Sequence, residues 1–180
     1  LSLVAKPRSH PSVQQAVELA GGEFYEVAGV AALEAMLDRG PWSVLAVTPL
    51  TPTKHHLAAA DVPRAVAMAK TRGMLVVSDD AHMVSPSAFY GEPLAFGLAD
   101  IDVAVWSPDK HASGPRGGIV AGRPDLVDRI RADVLRLGVE SQSGHYVAML
   151  RGMETLDTAP VEEASRLARE AFARFRKMYG

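Results

Sequence analysis

A lysine and an acidic cluster each follow an apolar run, about thirty residues apart in the chain. Lys110 comes shortly after the apolar run 101–106, and Asp79 begins the polar segment Asp-Asp-Ala-His82 after the apolar run 74–77. A lysine amine can bind an aldehyde as a Schiff base, and a carboxylate can keep a ring nitrogen protonated. The two segments therefore predict a site for an aldehyde cofactor that carries a nitrogen-containing ring.

Further polar groups stand at the ends of other predicted strands. His10 follows the first apolar run and Thr48 follows the third, while Ser107 and Arg116 flank the lysine in a segment rich in Gly, Ser and Pro. Ligands of open α/β sheets bind beyond the carboxyl ends of the strands. Convergence of ionisable groups on that edge predicts a binding site.

Two of these residues have an equally simple structural interpretation. His10 directly precedes Pro11, so it is placed to cap a helix that begins there. Arg116 lies between Pro and Gly, where it can bind a phosphate or carboxylate with two hydrogen bonds or form an ion pair within its loop.

Apolar runs alternate with helical patterns along the chain, which is typical of βαβ units and a parallel sheet. Strands are predicted at 1–5, 24–27, 43–47, 74–78 and 101–106. Helices are predicted at 11–20, 30–39, 61–72, 124–136, 144–156 and 160–179, with Asp61 as the cap of the third. About a dozen residues separate 101–106 from the apolar run 119–121, which is too few for the crossover helix that a parallel neighbour needs. The last strand is therefore predicted to run antiparallel.

The composition sets broad limits on function. The 180 residues are 48% hydrophobic and 22% charged, with a net charge of −2, which gives no electrostatic footprint for nucleic acid or an anionic membrane. The chain has no cysteine and no long apolar run, so a cytoplasmic enzyme is expected. The chain begins within a predicted strand without Met and stops after a long helical pattern, so we expect part of a longer protein.

The two segments of the first paragraph resemble elements of pyridoxal-phosphate enzymes with the aspartate-aminotransferase fold (fold type I). The segment Asp79-Asp-Ala-His82 resembles the Asp-(Asp/Glu)-Ala-His element, and Ser107-Pro-Asp-Lys110 resembles the Ser-x-x-Lys element, at a separation of 31 residues between the acid and the lysine. The resemblance implies a three-layer α/β fold with a mostly parallel sheet and one antiparallel strand.

The resemblance also implies roles for these residues. Lys110 would form the Schiff base with pyridoxal phosphate, Asp79 would pair with the ring nitrogen, and His82 would approach the ring hydroxyl. Ser107 would contact the phosphate. A buried Lys110 near cationic groups would be nucleophilic near neutral pH.

Two subfamilies are similar to different parts of the chain. The stretch from Ala99 to Ile130 resembles bacterial selenocysteine synthase and its ammonia-lyase relatives. Pro-Arg-Ser-His10 resembles the bacterial ornithine, lysine and arginine decarboxylases, which implies that His10 stacks on the cofactor ring. Asp109 departs from the His that those decarboxylases have, and Thr48 stands where classical aminotransferases have an Asn, which leaves His82 to contact the ring hydroxyl.

The resemblance implies a transferase or lyase acting on an amino acid or amino sugar acid, with a decarboxylase or aminotransferase as the alternative. Residues 1–155 would be a large cofactor-binding domain without its N-terminal part, and 156–180 a helix leading toward a small domain. The phosphate-binding loop and the substrate-carboxylate arginine would lie outside the chain. A homodimer is implied, and a tRNA-bound substrate if the protein is truly like selenocysteine synthase.

Two other classes of function use similar residues. A metal-dependent hydrolase would use Asp79, Asp80, His82 and His111, but this spacing supplies a partial ligand set at most. A phospho-receiver domain needs its acidic pair after the first strand, whereas here the pair follows the fourth. No metal is therefore expected.

Overall fold

The computed structural model describes residues 1–6, 8–51, 55–82, 91, 99–110 and 112–179. Among these residues the strands are β1 (Ser2–Val4), β2 (Glu26–Ala28), β3 (Val44–Val47), β4 (Leu75–Asp79), β5 (Val103–Trp106) and β6 (Ile119–Gly122). The helices are α1 (Pro11–Leu19), α2 (Val30–Leu37), α3 (Asp61–Lys70), α4 (Pro124–Leu137), α5 (Ser143–Glu154) and α6 (Ala159–Tyr179). Every predicted element is confirmed, with differences of up to a few residues at the ends.

The six strands form one sheet in the order β2-β1-β3-β4-β5-β6. The first five are parallel to one another, and β6 pairs antiparallel with β5, with Trp106 opposite Ile119. The prediction from loop length is thus confirmed, because the short connection lets the chain return only along the neighbouring strand in the reverse direction.

Helices cover the two faces of this sheet in separate layers. α2 and α3 pack against one face, where Leu3, Leu45 and Val76 belong to the main core cluster. The step from β1 to β2 runs in the opposite direction to the later steps along the sheet, so right-handed crossovers put α1 on the other face. Val17 of α1 lines a cleft together with Val44 of that face. The predicted three-layer α/β fold is confirmed.

Asp102 joins three elements at the amino-terminal edge of the sheet. Its carboxylate is 2% exposed and accepts hydrogen bonds from the Val76 backbone N–H at 2.7 Å, Lys70 Nζ at 2.7 Å and Arg123 Nη1 at 3.2 Å. Burial alone raises the pKa of Asp102, but the bonds from Lys70, Val76 and Arg123 together lower it below its ordinary value. These bonds compensate the buried charge of Asp102 and connect α3 and the start of α4 to the sheet.

The first residues of α1 and α3 differ in how they are capped. His10 is the N-cap of α1, followed by Pro11 in the first helical position. The prediction that Asp61 caps α3 is wrong, because Asp61 is itself the first helical residue and Ala60 holds the cap position without a side-chain bond. The negative charge of Asp61 still lies in the first turn, where it interacts favourably with the positive end of the helix dipole.

Within the described residues, no helix is long and apolar enough to span a membrane.

Candidate active site

Three polar side chains lie at, or directly after, the carboxyl ends of neighbouring parallel strands. We call this edge of the sheet the rim. Thr48 follows β3, Asp79 is the last residue of β4, and Ser107 follows β5. β3 pairs with β4 and β4 pairs with β5, with Asp79 opposite Val105. The convergence expected from the sequence is therefore observed at the centre of the sheet.

The adjacent acids Asp79 and Asp80 point to opposite faces of the sheet. Asp80 is 4% exposed and accepts a hydrogen bond from Ser78 Oγ at 2.9 Å, on the same face as the buried Val76. Asp79 is half-buried on the face of α1, and its Oδ1 accepts a weaker bond from the Ala81 backbone N–H at 3.3 Å. Asp80 is thus committed to the core side, while Asp79 is the acid that a ligand can reach.

Lys110 lies at the end of a turn that leaves the sheet directly after β5. Pro108 is buried at the start of this turn, and its carbonyl accepts the Ala112 N–H at 3.0 Å. The Lys110 side chain is exposed, so the expectation of a buried lysine is wrong. The tight turn explains the difference, since it carries the lysine beyond the packed end of the strand.

The segment after Lys110, residues 112–114, is held against the helices that follow the sheet. Ala112 is 1% exposed and packs with Trp106, Leu156 and Val161. A Cβ at Gly152 of α5 would lie 2.4 Å from the Ala112 carbonyl oxygen, so α5 approaches this closely only because residue 152 has no side chain. Sequence reasoning missed this role, although a glycine inside a helical pattern is a signal for close packing.

The two predicted imidazoles and the predicted arginine lie around the rim. His10 is exposed and accepts the Ser12 N–H through Nδ1 at 3.2 Å, so its capping role is confirmed and its stacking role stays a prediction. His82 is half-buried in the turn after β4, and Arg116 is exposed between β5 and β6. The roles of His82 and Arg116 also stay predictions.

Parts of two predicted segments lie outside the described residues, namely His111 and residues 52–54 of the loop after Thr48. His111 belonged to the metal-ligand hypothesis. In the described part of the chain, no three His, Asp or Glu side chains cluster as a metal site.

Comparison with known proteins supports the predicted resemblance. The chain is 30% identical over 170 residues to a protein of Methanosphaera stadtmanae named UPF0425 pyridoxal phosphate-dependent protein, covering 94% of this chain and 43% of that protein. A protein of the same name from Methanothermobacter thermautotrophicus is 32% identical over 171 residues, covering 93% of this chain and 44% of that one. The chain therefore spans less than half the length of these relatives. No family model matches it.

The selenocysteine synthase resemblance is also found. Over 81 residues the chain is 31% identical to L-seryl-tRNA(Sec) selenium transferase of Desulfomicrobium baculatum, covering 42% of this chain and 17% of that protein. The fold is similar to that of N-succinyldiaminopimelate aminotransferase from Mycobacterium tuberculosis, with a TM-score of 0.76 at 17% identity over 98% of this chain and 49% of that one. At this identity the structural likeness shows the fold alone, which is that of fold-type I pyridoxal-phosphate enzymes.

Proposed function

We propose that this chain forms part of a pyridoxal-phosphate enzyme in which Lys110 binds the aldehyde carbon of the cofactor. The observation that carries the proposal is the placement of Asp79 and the Lys110 turn at the carboxyl ends of the adjacent parallel strands β4 and β5. Relatives named as pyridoxal phosphate-dependent proteins add independent support.

The residues at the rim fit the chemical groups of this cofactor. The half-buried Asp79 carboxylate suits a protonated ring nitrogen, and the exposed Lys110 amine suits an aldehyde. Ser107 would offer a hydroxyl to the phosphate, and His10 would offer a flat ring for stacking on the pyridine. A carboxylate, an amine and a hydroxyl therefore complement three groups of the cofactor, namely its ring nitrogen, its aldehyde and its phosphate.

The bound cofactor would act as an electron sink for negative charge at the substrate α-carbon. Asp79 would keep the ring nitrogen protonated, which is what makes the ring accept electrons, and its partial burial strengthens that interaction relative to water. The Lys110 amine would take and return the substrate α-proton. Arg116 is our candidate to bind the substrate carboxylate with two hydrogen bonds.

The reaction we favour is transfer or elimination on a small substrate of the amino-acid or amino-sugar-acid type. The likeness of part of the chain to the selenium transferase supports this class. The alternative is a decarboxylase, which the Pro-Arg-Ser-His10 segment favours.

Borohydride reduction tests the central assignment. Reduction of the complete protein with its cofactor should attach a pyridoxyl group to Lys110, identified by peptide mass spectrometry, and Lys110→Ala should lose both the label and the yellow colour. Lys177→Ala, which removes an exposed lysine on α6, should keep both. A label on another lysine, or no label at all, would refute the proposal.

A further inference from the structure

A cleft of about 660 Å³ lies between β6 and the helices α4 and α5. Ile119 of β6 lines this cleft and lies opposite Trp106, so the cleft begins one strand beyond β5 at the rim. Of the residues that the structure describes, those that line the cleft do not include Asp79, Ser107 or Lys110. The cleft is therefore separate from the residues proposed to bind the cofactor.

The walls of this cleft are mostly apolar and come from three elements. Leu150 is 63% exposed and Tyr146 is 55% exposed, so the described residues leave much of the apolar wall open. A ligand with an apolar chain would remove this surface from water, which favours binding. The apolar side chains that line the cleft include Ile119 and Val120 of β6, Val127, Ile130 and Val134 of α4, and Met149, Leu150 and Met153 of α5.

One charged residue of the lining differs from these apolar walls. Glu140 lies between α4 and α5, and its Oε2 is buried without a hydrogen-bond partner. A carboxylate oxygen that is removed from water is costly unless a cation or a hydrogen-bond donor compensates it. The N-cap position of α5 is held by Gln142, with no side-chain capping bond, so Glu140 does not serve as that cap. Within the described part of the chain, the buried oxygen therefore has no role in the fold.

The cationic side chains of the lining are more exposed than this carboxylate. Arg131 is exposed and lies 3.6 Å from Asp128, and Arg116 and His145 are exposed as well. Water and salt screen exposed charges strongly, whereas a partly buried charge is screened much less. The charge that a ligand meets most strongly inside the cleft is therefore negative.

We propose that this cleft binds a primary ammonium group on an apolar chain, with Glu140 as its anionic partner. Glu140 as a whole is only half-buried, so its carboxylate is within reach of a ligand in the cleft. An ammonium group supplies a positive charge and three hydrogen-bond donors to that carboxylate. The apolar walls would cover the methylene groups, and each buried methylene should strengthen binding about fourfold.

Simple alkyl compounds test the ligand class on the complete protein. Borohydride treatment first removes any cofactor aldehyde that would react with an amine, and titration calorimetry then measures the binding of hexylamine, butylamine, hexanol and hexanoate. Hexylamine should bind about tenfold more tightly than butylamine, because it buries two more methylene groups. It should also bind at least about tenfold more tightly than hexanol, and hexanoate should bind most weakly.

Two variants test the role of Glu140. Glu140→Gln keeps the shape and removes the charge, so it should weaken hexylamine binding at least about tenfold and leave hexanol binding unchanged. Glu154→Gln is the matched control on α5, because Glu154 is 68% exposed, pairs with Arg151 and does not line the cleft. This control should bind hexylamine like the unchanged protein.

The thermal stability of the ligand-free variants distinguishes ligand binding from a structural role. Glu140→Gln should be at least as stable as the unchanged protein, because it removes a buried charge that has no partner. A marked loss of stability would show that the complete protein already pairs Glu140, and would overturn the proposal. Equal affinity for hexylamine and hexanol, or unchanged hexylamine binding in Glu140→Gln, would also overturn it. The borohydride label at Lys110 reports on the proposed function alone, so either proposal can fail without the other.

Discussion

The adjacent carboxylates Asp79 and Asp80 at the end of β4 lie on opposite faces of the sheet. Their difference in exposure is the basis for proposing one of them as the partner of a cofactor. Asp80 is buried and accepts a hydrogen bond from Ser78, whereas Asp79 is half-buried on the opposite face, beside Thr48. The resemblance pointed to Asp79, and its role at the ring nitrogen stays a prediction.

Substitution of each acid by asparagine should therefore have different effects. Asp79→Asn should still take the borohydride label at Lys110 but should lose about 100-fold or more in the rate of α-proton exchange, since an amide cannot hold the ring nitrogen protonated. Exchange can be followed by NMR with amino acids in deuterated water. Asp80→Asn should mainly lower the free energy of unfolding, by about 1 kcal/mol, because it alters the bond to Ser78. A large loss of exchange in Asp80→Asn with a mild effect in Asp79→Asn would reverse the assignment.

At the scale of elements, the segment after the lysine depends on the close approach of α5. Gly152 lets the helix backbone lie against the Ala112 carbonyl, and Trp106, Leu156 and Val161 complete the support. The position of the Lys110 turn is thus determined by helices that follow the sheet in sequence and contribute no predicted catalytic side chain.

Gly152→Ala should destabilise the protein, although alanine usually favours a helix over glycine by about 0.5–1 kcal/mol. The new Cβ would lie 2.4 Å from the Ala112 oxygen, so the segment must move, and we expect a loss of about 1–3 kcal/mol in the free energy of unfolding. Gly144→Ala in the same helix is the matched control, because nothing lies within 4 Å of its Cβ position. Denaturant unfolding measures both, and equal stabilities would contradict the proposed packing.

At the scale of the whole molecule, α6 exposes large apolar side chains. Leu167 is 50% exposed, Phe172 is 64% exposed and Phe175 is 58% exposed. The relatives are more than twice as long as this chain, and the resemblance implies a dimer. Further residues of a longer protein, or a second chain, would cover this apolar surface, so a homodimer belongs to the proposed function.

The 180-residue chain alone should bind pyridoxal phosphate weakly and show no turnover, while the complete protein should do both as a homodimer. The resemblance places the phosphate-binding loop outside this chain, and each charge-assisted hydrogen bond to the phosphate contributes about 1.5–3 kcal/mol. Titration with sedimentation measures affinity and assembly together, with circular dichroism as the control for folding. Tight stoichiometric binding by a monomeric, folded 180-residue chain would contradict this prediction.

The sequence by itself determined the elements and the broad fold, because these depend on local patterns. Short apolar runs predicted the strands and helical spacing of apolar residues predicted the helices, and the short connection before Ile119 predicted the antiparallel strand. The lysine and acidic segments also predicted which strand ends would form the site, since parallel strands end at the same edge.

Other features were decided by tertiary structure alone. Val76 and Val77 are equally apolar in sequence, so only the packing of α2 and α3 shows which face each acid of β4 occupies. The pairing of Asp102 with Lys70 and Arg123, like the approach of Gly152 to Ala112, joins residues far apart in the chain. Such contacts depend on strand order and helix placement, which no local pattern encodes. For the same reason only the strand pairing shows that the buried Thr48 hydroxyl has no hydrogen-bond partner among the described residues.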